Sequence, residues 1–111
     1  MADELIDYAT LNELSETVGA DFVAELIGTF LEEAPSMIAE LRTTLASGEA
    51  EAFRRAAHSL KTNANTFGAQ LLGRAALALE QGGLPGDAAA LDALDSLYTQ
   101  TAAALQAAGN G

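Results

Sequence analysis

Apolar residues in this chain recur at alternating intervals of four and three, in segments closed by glycine, and that rhythm fits a bundle of amphipathic helices. The longest stripe runs Val23, Ile27, Phe30, Ala34, Met37, Leu41 and Leu45, and Gly48 supplies its stop. A second runs Phe53, Ala57, Leu60, Ala64 and Phe67, with Asn65-Thr66-Phe67-Gly68 as its exit. A third helix is predicted from about Gly68 to Gln81, ending at Gly82-Gly83. After a Leu84-Pro85-Gly86 turn, Asp87 can cap a last helix with the stripe Leu91, Leu94, Tyr98, Thr101 and Leu105. Ahead of all these, Thr10-Leu11-Asn12-Glu13 has the form of a capping box and opens a short helix ending at Gly19. Asp21 is placed to cap the long helix, and Pro35 requires that helix to kink or to divide in two. The tail, Gly109-Asn110-Gly111, is expected to fray.

No segment alternates with period two, so strands are not expected. Half of the 111 residues are hydrophobic, alanine and leucine dominate that half, and both are strong helix formers. The expectation is an all-α chain: an antiparallel up-and-down four-helix bundle with a short additional N-terminal helix across one end. One domain fills residues 1–111, with its core at about 10–107.

Composition excludes several functions. There is no cysteine and only one histidine, so no disulfide and no metal site is expected. No apolar run approaches the roughly 20 residues that span a bilayer. Met1-Ala2-Asp3-Glu4 lacks the basic region of a secretory signal, which makes a cytoplasmic protein the expectation. The formal charge of −11 repels nucleic acid and anionic lipid, so neither is expected as a partner.

That charge is unevenly spread. Residues 52–79 contain no Asp or Glu, and Arg54, Arg55, Lys61 and Arg74, four of the five basic residues, fall there with the sole histidine, His58. At about 100° per residue, and with the Phe53-to-Phe67 stripe facing the core, His58 points roughly 140° away from it. On the same scale Lys61 lies at roughly 80°, Arg54 at roughly 100° and Asn65 at roughly 120°. His58 therefore belongs on the outer face, with Lys61 as its neighbour three residues on. An exposed imidazole is either surface decoration or a nucleophile that works near neutral pH. A nucleophile of this kind needs a cation for phosphoryl oxygens and a partner on its other ring nitrogen to fix the tautomer.

Ala57-His58-Ser59-Leu60-Lys61, then Phe67-Gly68-Ala69, then Leu79-Glu80, resembles the signature of histidine-containing phosphotransfer (HPt) domains. That pattern is His-x-x-Lys-Gly, a further Gly ten residues after the His, and an acidic or amide residue twenty-two after it; Gly68 and Glu80 occupy those offsets. The resemblance implies that His58 is the phosphoacceptor, that Lys61 stabilises the phosphoryl oxygens, that Gly68 turns the chain tightly, and that Glu80 orients the imidazole. The acid-free basic stretch reads as a docking surface for something anionic, with Arg54, Arg55, Thr62, Asn65 and Gly68 assigned to it; Asn65, polar where the family is usually small, is placed to hydrogen-bond near the phosphoryl group. One departure stands out: Thr62 occupies the position where the family commonly has Gly after the Lys.

The expected function is that of a phosphocarrier in a two-component phosphorelay, taking a phosphoryl group from one receiver-domain aspartate and passing it to another. The chain would have no cofactor of its own, Mg²⁺ being held by the receiver, and a hybrid or conventional histidine kinase would stand upstream. Gly82-Gly83-Leu84-Pro85-Gly86-Asp87 lacks the Lys-Ser/Thr of a phosphate loop, so kinase activity is not expected. A binding-only adaptor would need none of His58, Lys61 and Glu80, and a hydrolase would need a paired carboxylate and base that the sequence does not show. Transient partners and an exposed histidine favour a monomer.

Overall fold

Every described element of the computed structural model, which describes residues 5–110, is an α-helix. The helices are α1 (Tyr8–Val18), α2 (Ala20–Ser47), α3 (Ala50–Thr66), α4 (Gln70–Gly82) and α5 (Ala89–Asn110). The last four form a closed ring of neighbours, α2 on α3, α3 on α4, α4 on α5 and α5 on α2, and α1 packs on α2. That is the predicted bundle with its short extra helix. No helix among the described residues is long and apolar enough to cross a membrane.

Helix α1 starts earlier than its sequence implied. Asp7, not Thr10, is the cap: its carboxylate accepts from the Ala9 amide at 3.2 Å and from the Thr10 hydroxyl at 2.9 Å. An ionised acceptor at a helix N-terminus satisfies free amides and opposes the helix dipole, so Asp7 outcompetes the hydroxyl three residues later. Gly19, at φ 94°, ends α1 and begins α2, which places Asp21 in the first turn of α2 instead of at its cap.

Helix α2 runs as one element through Pro35. Proline has no amide hydrogen, so the Leu31 carbonyl loses its usual donor four residues on. The Tyr98 hydroxyl of α5 donates to that carbonyl at 3.2 Å. The buried face of α2 also differs in detail, since Ile38 and Thr44 are buried where Met37 and Leu45 were expected. Because α2 packs on α3 along one flank and on α5 along the other, both flanks of its stripe turn inward. Met37 lines the groove towards Ala52 and Arg55 of α3, whereas Ile38 lines the groove towards Asp95 and Tyr98 of α5. The Thr44 hydroxyl is satisfied inside the helix by the Glu40 carbonyl at 2.7 Å.

The predicted α3 stripe is buried throughout, and so is that of α5 apart from the half-buried Tyr98. Small residues, Ala57, Ala64, Gly73 and Ala76, lie buried on α3 and α4 and let the two helices approach closely. The turn between them needs Gly68 at φ 74°, and α4 begins at Gln70, two residues after the predicted start. At the other end of α4, Asp87 accepts from the Ala89 amide at 2.9 Å and opens α5. Helix α5 continues through Gly109 to Asn110, where the sequence suggested fraying, because Leu105 and Ala108 still pack on the core; Gly111 lies outside the described residues. Phe30 ties the layers together, with ring centroids 5.5 Å from Phe67 and 6.5 Å from Tyr98.

Candidate functional site

His58 lies midway along α3, on a face free of the core stripe, and its side chain is 55% exposed. The antiparallel neighbour α4 brings Glu80 beside it, with 3.2 Å between His58 Nδ1 and Glu80 Oε1. Lys61 Nζ reaches the same Glu80 oxygen at 2.9 Å. The Lys61 and Glu80 side chains are far more covered than the imidazole, at 21% and 16% exposure. A carboxylate holds a lysine and a histidine together while the histidine alone projects.

The electrostatics fix the proton. The Lys61 ammonium, and after it the hydrogen bond from His58, hold the Glu80 carboxyl below the usual carboxylate range, against an opposing contribution from burial. An ionised carboxylate only accepts, so Nδ1 of the neutral imidazole must carry the hydrogen and donate it. The lone pair is then on Nε2, which has no hydrogen-bond partner among the described residues, on a side chain that is more than half exposed. This arrangement can present a nucleophilic nitrogen to an electrophile brought by another molecule. Positive charge that develops on the ring in such a reaction falls against Glu80.

The residues assigned to a docking surface fare unequally. Arg54 and Arg55 are exposed, but the Arg54 guanidinium is engaged by Glu51 one turn back, with Nε to Oε2 at 3.2 Å. Glu51 stands one residue outside the acid-free stretch, and its spacing of three from Arg54 was the signal that could have revealed the pair. Arg55 lines a shallow groove between α2 and α3 with Met37, Glu40 and Ser59. Thr62 is exposed one turn beyond His58.

Two assignments are corrected. Gly68 is buried: a Cβ there would lie 2.5 Å from the Asp7 carbonyl oxygen, and the Asp7 amide donates to the Gly68 carbonyl at 2.6 Å. It serves the turn and holds the N-terminal segment, so no partner can touch it. Asn65 is exposed, but it sits two turns from His58, about 10 Å along the axis. Its side-chain oxygen packs over Gly73 of α4, where a Cβ would meet it at 2.1 Å. It is a packing residue of the α3–α4 contact and lies too far away to bond a group on the imidazole. The role of Lys61 as a salt-bridge partner of Glu80 was not read from the sequence, because helix periodicity says nothing about what the next helix presents.

Among the described residues no group of three or more His, Cys, Asp or Glu side chains could hold a metal ion. Taken together, fold and site define a small helical bundle whose single histidine is buttressed on one nitrogen and open on the other. The chain belongs to the Hpt domain family, the histidine phosphotransfer modules of two-component phosphorelays, and the family matches residues 25–104. It is 31% identical over 81 residues to the phosphorelay protein LuxU of Vibrio harveyi, covering 73% of this chain and 71% of LuxU. It is 29% identical over 79 residues to the sensor protein TorS of Escherichia coli, which covers 71% of this chain but only 9% of TorS. Among solved structures, the histidine-containing phosphotransfer protein B (HptB) of Pseudomonas aeruginosa superposes with a TM-score of 0.77 at 25% identity, over 98% of this chain and 94% of that one.

Proposed function

We propose that this chain is a phosphocarrier in which His58 accepts a phosphoryl group from a receiver-domain aspartyl phosphate and delivers it to a second receiver. The observation that carries this reading is the Glu80-held Nδ1 with a free, exposed Nε2. In the forward step the Nε2 lone pair attacks phosphorus, the N–P bond forms, and the P–O bond to the aspartate breaks. The aspartate leaves as carboxylate, and the Nδ1 proton stays on the ring. The product is a cationic phosphoimidazole paired with the Glu80 carboxylate, and the return step reverses each bond change.

Lys61 neutralises the phosphoryl oxygens. It needs only to share its three hydrogens between Glu80 and the incoming group, since a lysine ammonium has donors to spare. The receiver supplies Mg²⁺ and the acidic pocket, and the chain contributes positioning and charge. As a phosphocarrier it depends on a histidine kinase, hybrid or conventional, upstream. Such partners place it in the cytoplasm, acting as a monomer that docks transiently through the open His58 face, with Arg55 and Thr62 at its margin.

The test is transfer from a phosphorylated receiver, scored as acid-labile, base-stable label on the chain. Wild type is expected to take up label and His58→Gln none. Absence of label from several receivers, or equal labelling of the variant, rejects the reading.

A further inference from the structure

Thr62 is an outlier among the helical threonines. The hydroxyls of Thr17, Thr29, Thr44, Thr66, Thr99 and Thr101 each donate to the carbonyl four residues earlier, at 2.7–3.2 Å. For Thr62 that carbonyl belongs to His58, yet the Thr62 hydroxyl makes no hydrogen bond among the described residues, a state it shares only with Thr43 far from the site. An exposed hydroxyl is thus left uncommitted one turn past the phosphoacceptor.

Its placement is specific. Around the α3 axis, Lys61 lies about 60° to one side of His58 and Thr62 about 40° to the other. Both are on the C-terminal side of His58, and helical side chains lean towards the N-terminus, so both lean back over it. Lys61 is on the side of α4, tied to Glu80. Thr62 is on the opposite side, towards the α2–α3 groove that Arg55 and Ser59 line. A phosphoryl group has three oxygens, and Lys61 approaches them from one flank only.

We propose that the Thr62 hydroxyl is a phosphoryl-binding group: it donates a hydrogen bond to a phosphoryl oxygen on His58 Nε2, opposite Lys61, both during transfer and in the phosphorylated protein. This rests on His58 being the phosphoacceptor. The hydroxyl gives up no proton; it donates while the N–P bond forms and the P–O bond to the receiver's aspartate breaks. The consequence is that the position selects for a hydroxyl and not for bulk.

Three substitutions separate those two properties. Thr62→Ser keeps the donor, Thr62→Val keeps the shape, and Thr62→Gly removes both. Each is assayed for the initial rate of phosphotransfer from a phosphorylated receiver and for the ³¹P chemical shift of the phosphohistidine, with far-UV circular dichroism confirming the helix. Thr62→Ser is expected within about twofold of wild type, with Thr62→Val slower by about five- to tenfold, the scale of the net contribution of one solvent-accessible hydrogen bond. The ³¹P resonance should move in Thr62→Val and stay in Thr62→Ser. Equal rates for Thr62→Val and wild type overturn the proposal, and a faster Thr62→Gly beside an unchanged Thr62→Val assigns the residue to steric exclusion instead. Loss of label from wild type itself overturns the phosphocarrier reading together with this one, an outcome distinct from all the others.

Discussion

Two seams of the bundle carry polar bonds between helices, and they use similar chemistry for opposite ends. Between α3 and α4, Glu80 gathers Lys61 and His58 on one oxygen. Between α2 and α5, Tyr98 donates to the Leu31 carbonyl and Arg42 bridges Asp92 and Asp95. Each seam pairs a cation with carboxylates. The difference is the third group: at α2–α5 the hydrogen bond repairs a backbone defect left by Pro35, whereas at α3–α4 it polarises a side chain whose other end is left open. A contact that closes on itself stabilises. One that leaves an unsatisfied nitrogen pointing at solvent is available for chemistry.

The largest expected effect breaks the α3–α4 seam at its turn. Gly68 and Gly48 have nearly the same φ, 74° and 72°, but a Cβ at Gly48 meets nothing within 4 Å while one at Gly68 meets the Asp7 carbonyl. Gly48→Ala should cost about 1 kcal/mol of backbone strain. Gly68→Ala should add the clash and the displaced Asp7 bond, for a total of about 2–4 kcal/mol by urea unfolding. Similar losses for the two variants would show that the N-terminal segment yields freely. Next in size, Glu80→Ala should slow phosphotransfer by about tenfold or more, as expected when the orienting partner of a reactive imidazole is removed. The melting temperature should fall only slightly at neutral pH, by the lost contact with Lys61. An unchanged transfer rate would remove Glu80 from the mechanism.

The α2–α5 seam should answer in the opposite sense, with stability lost and transfer kept. Tyr98→Phe should cost about 1 kcal/mol, the net worth of one hydrogen bond. The cost should shrink in a Pro35→Ala background, where an amide is restored to the Leu31 carbonyl, and a double-mutant cycle measures the difference. The two seams should also fail at opposite ends of the pH scale. The folded-state pKa of Glu80 is lowered, chiefly by Lys61, so its stabilisation is complete above the unfolded carboxylate value near 4.5 and is lost as pH falls through the folded value. The folded-state pKa of Tyr98 is raised, first by burial and then by Asp95. Its contribution is complete below the unfolded phenol value near 10 and is lost as pH rises through the folded one. Unfolding curves across pH should lose an acid component in Glu80→Gln and an alkaline component in Tyr98→Phe.

How much of this was legible in the sequence follows from the range of each signal. Helix period placed His58 and Lys61 on the outer face of α3 and predicted the buried stripes of α3 and α5, because those features depend on one helix and its core. The same period misjudged Met37 against Ile38, since it assumes one buried direction and α2 packs on α3 and on α5 along different flanks. The Glu80 offset came from family resemblance and not from geometry, and only the packing of α4 on α3 shows the carboxylate shared. Asp7 was missed as a cap although its bonds to Ala9 and Thr10 are local, because Thr10 with Glu13 offered a complete capping box three residues on; its backbone bond to Gly68 joins residues 61 positions apart, beyond the reach of any local motif. Tyr98 was read as an apolar stripe position, although Pro35 had already announced an orphaned carbonyl at Leu31 that some donor would have to meet.

The smallest expected effect sharpens the comparison most. Arg42 bridges Asp92 at 3.0 Å and Asp95 at 3.5 Å, which resembles the Lys61–Glu80 pair in type, but its side chain is 38% exposed and theirs are 69% and 53%. Water and salt screen such pairs, so Arg42→Ala should cost no more than about 0.5 kcal/mol, and less still in 1 M salt. Phosphotransfer should be untouched. Lys61→Ala should behave in reverse, with little lost in stability and much in rate, because Lys61 keeps Glu80 ionised beside the imidazole and, on the proposed reading, neutralises the phosphoryl oxygens. If Arg42→Ala slowed transfer as much as Lys61→Ala, the separation of a stabilising seam from a chemical one would collapse, and the acidic α5 face would have to be counted as part of the docking surface.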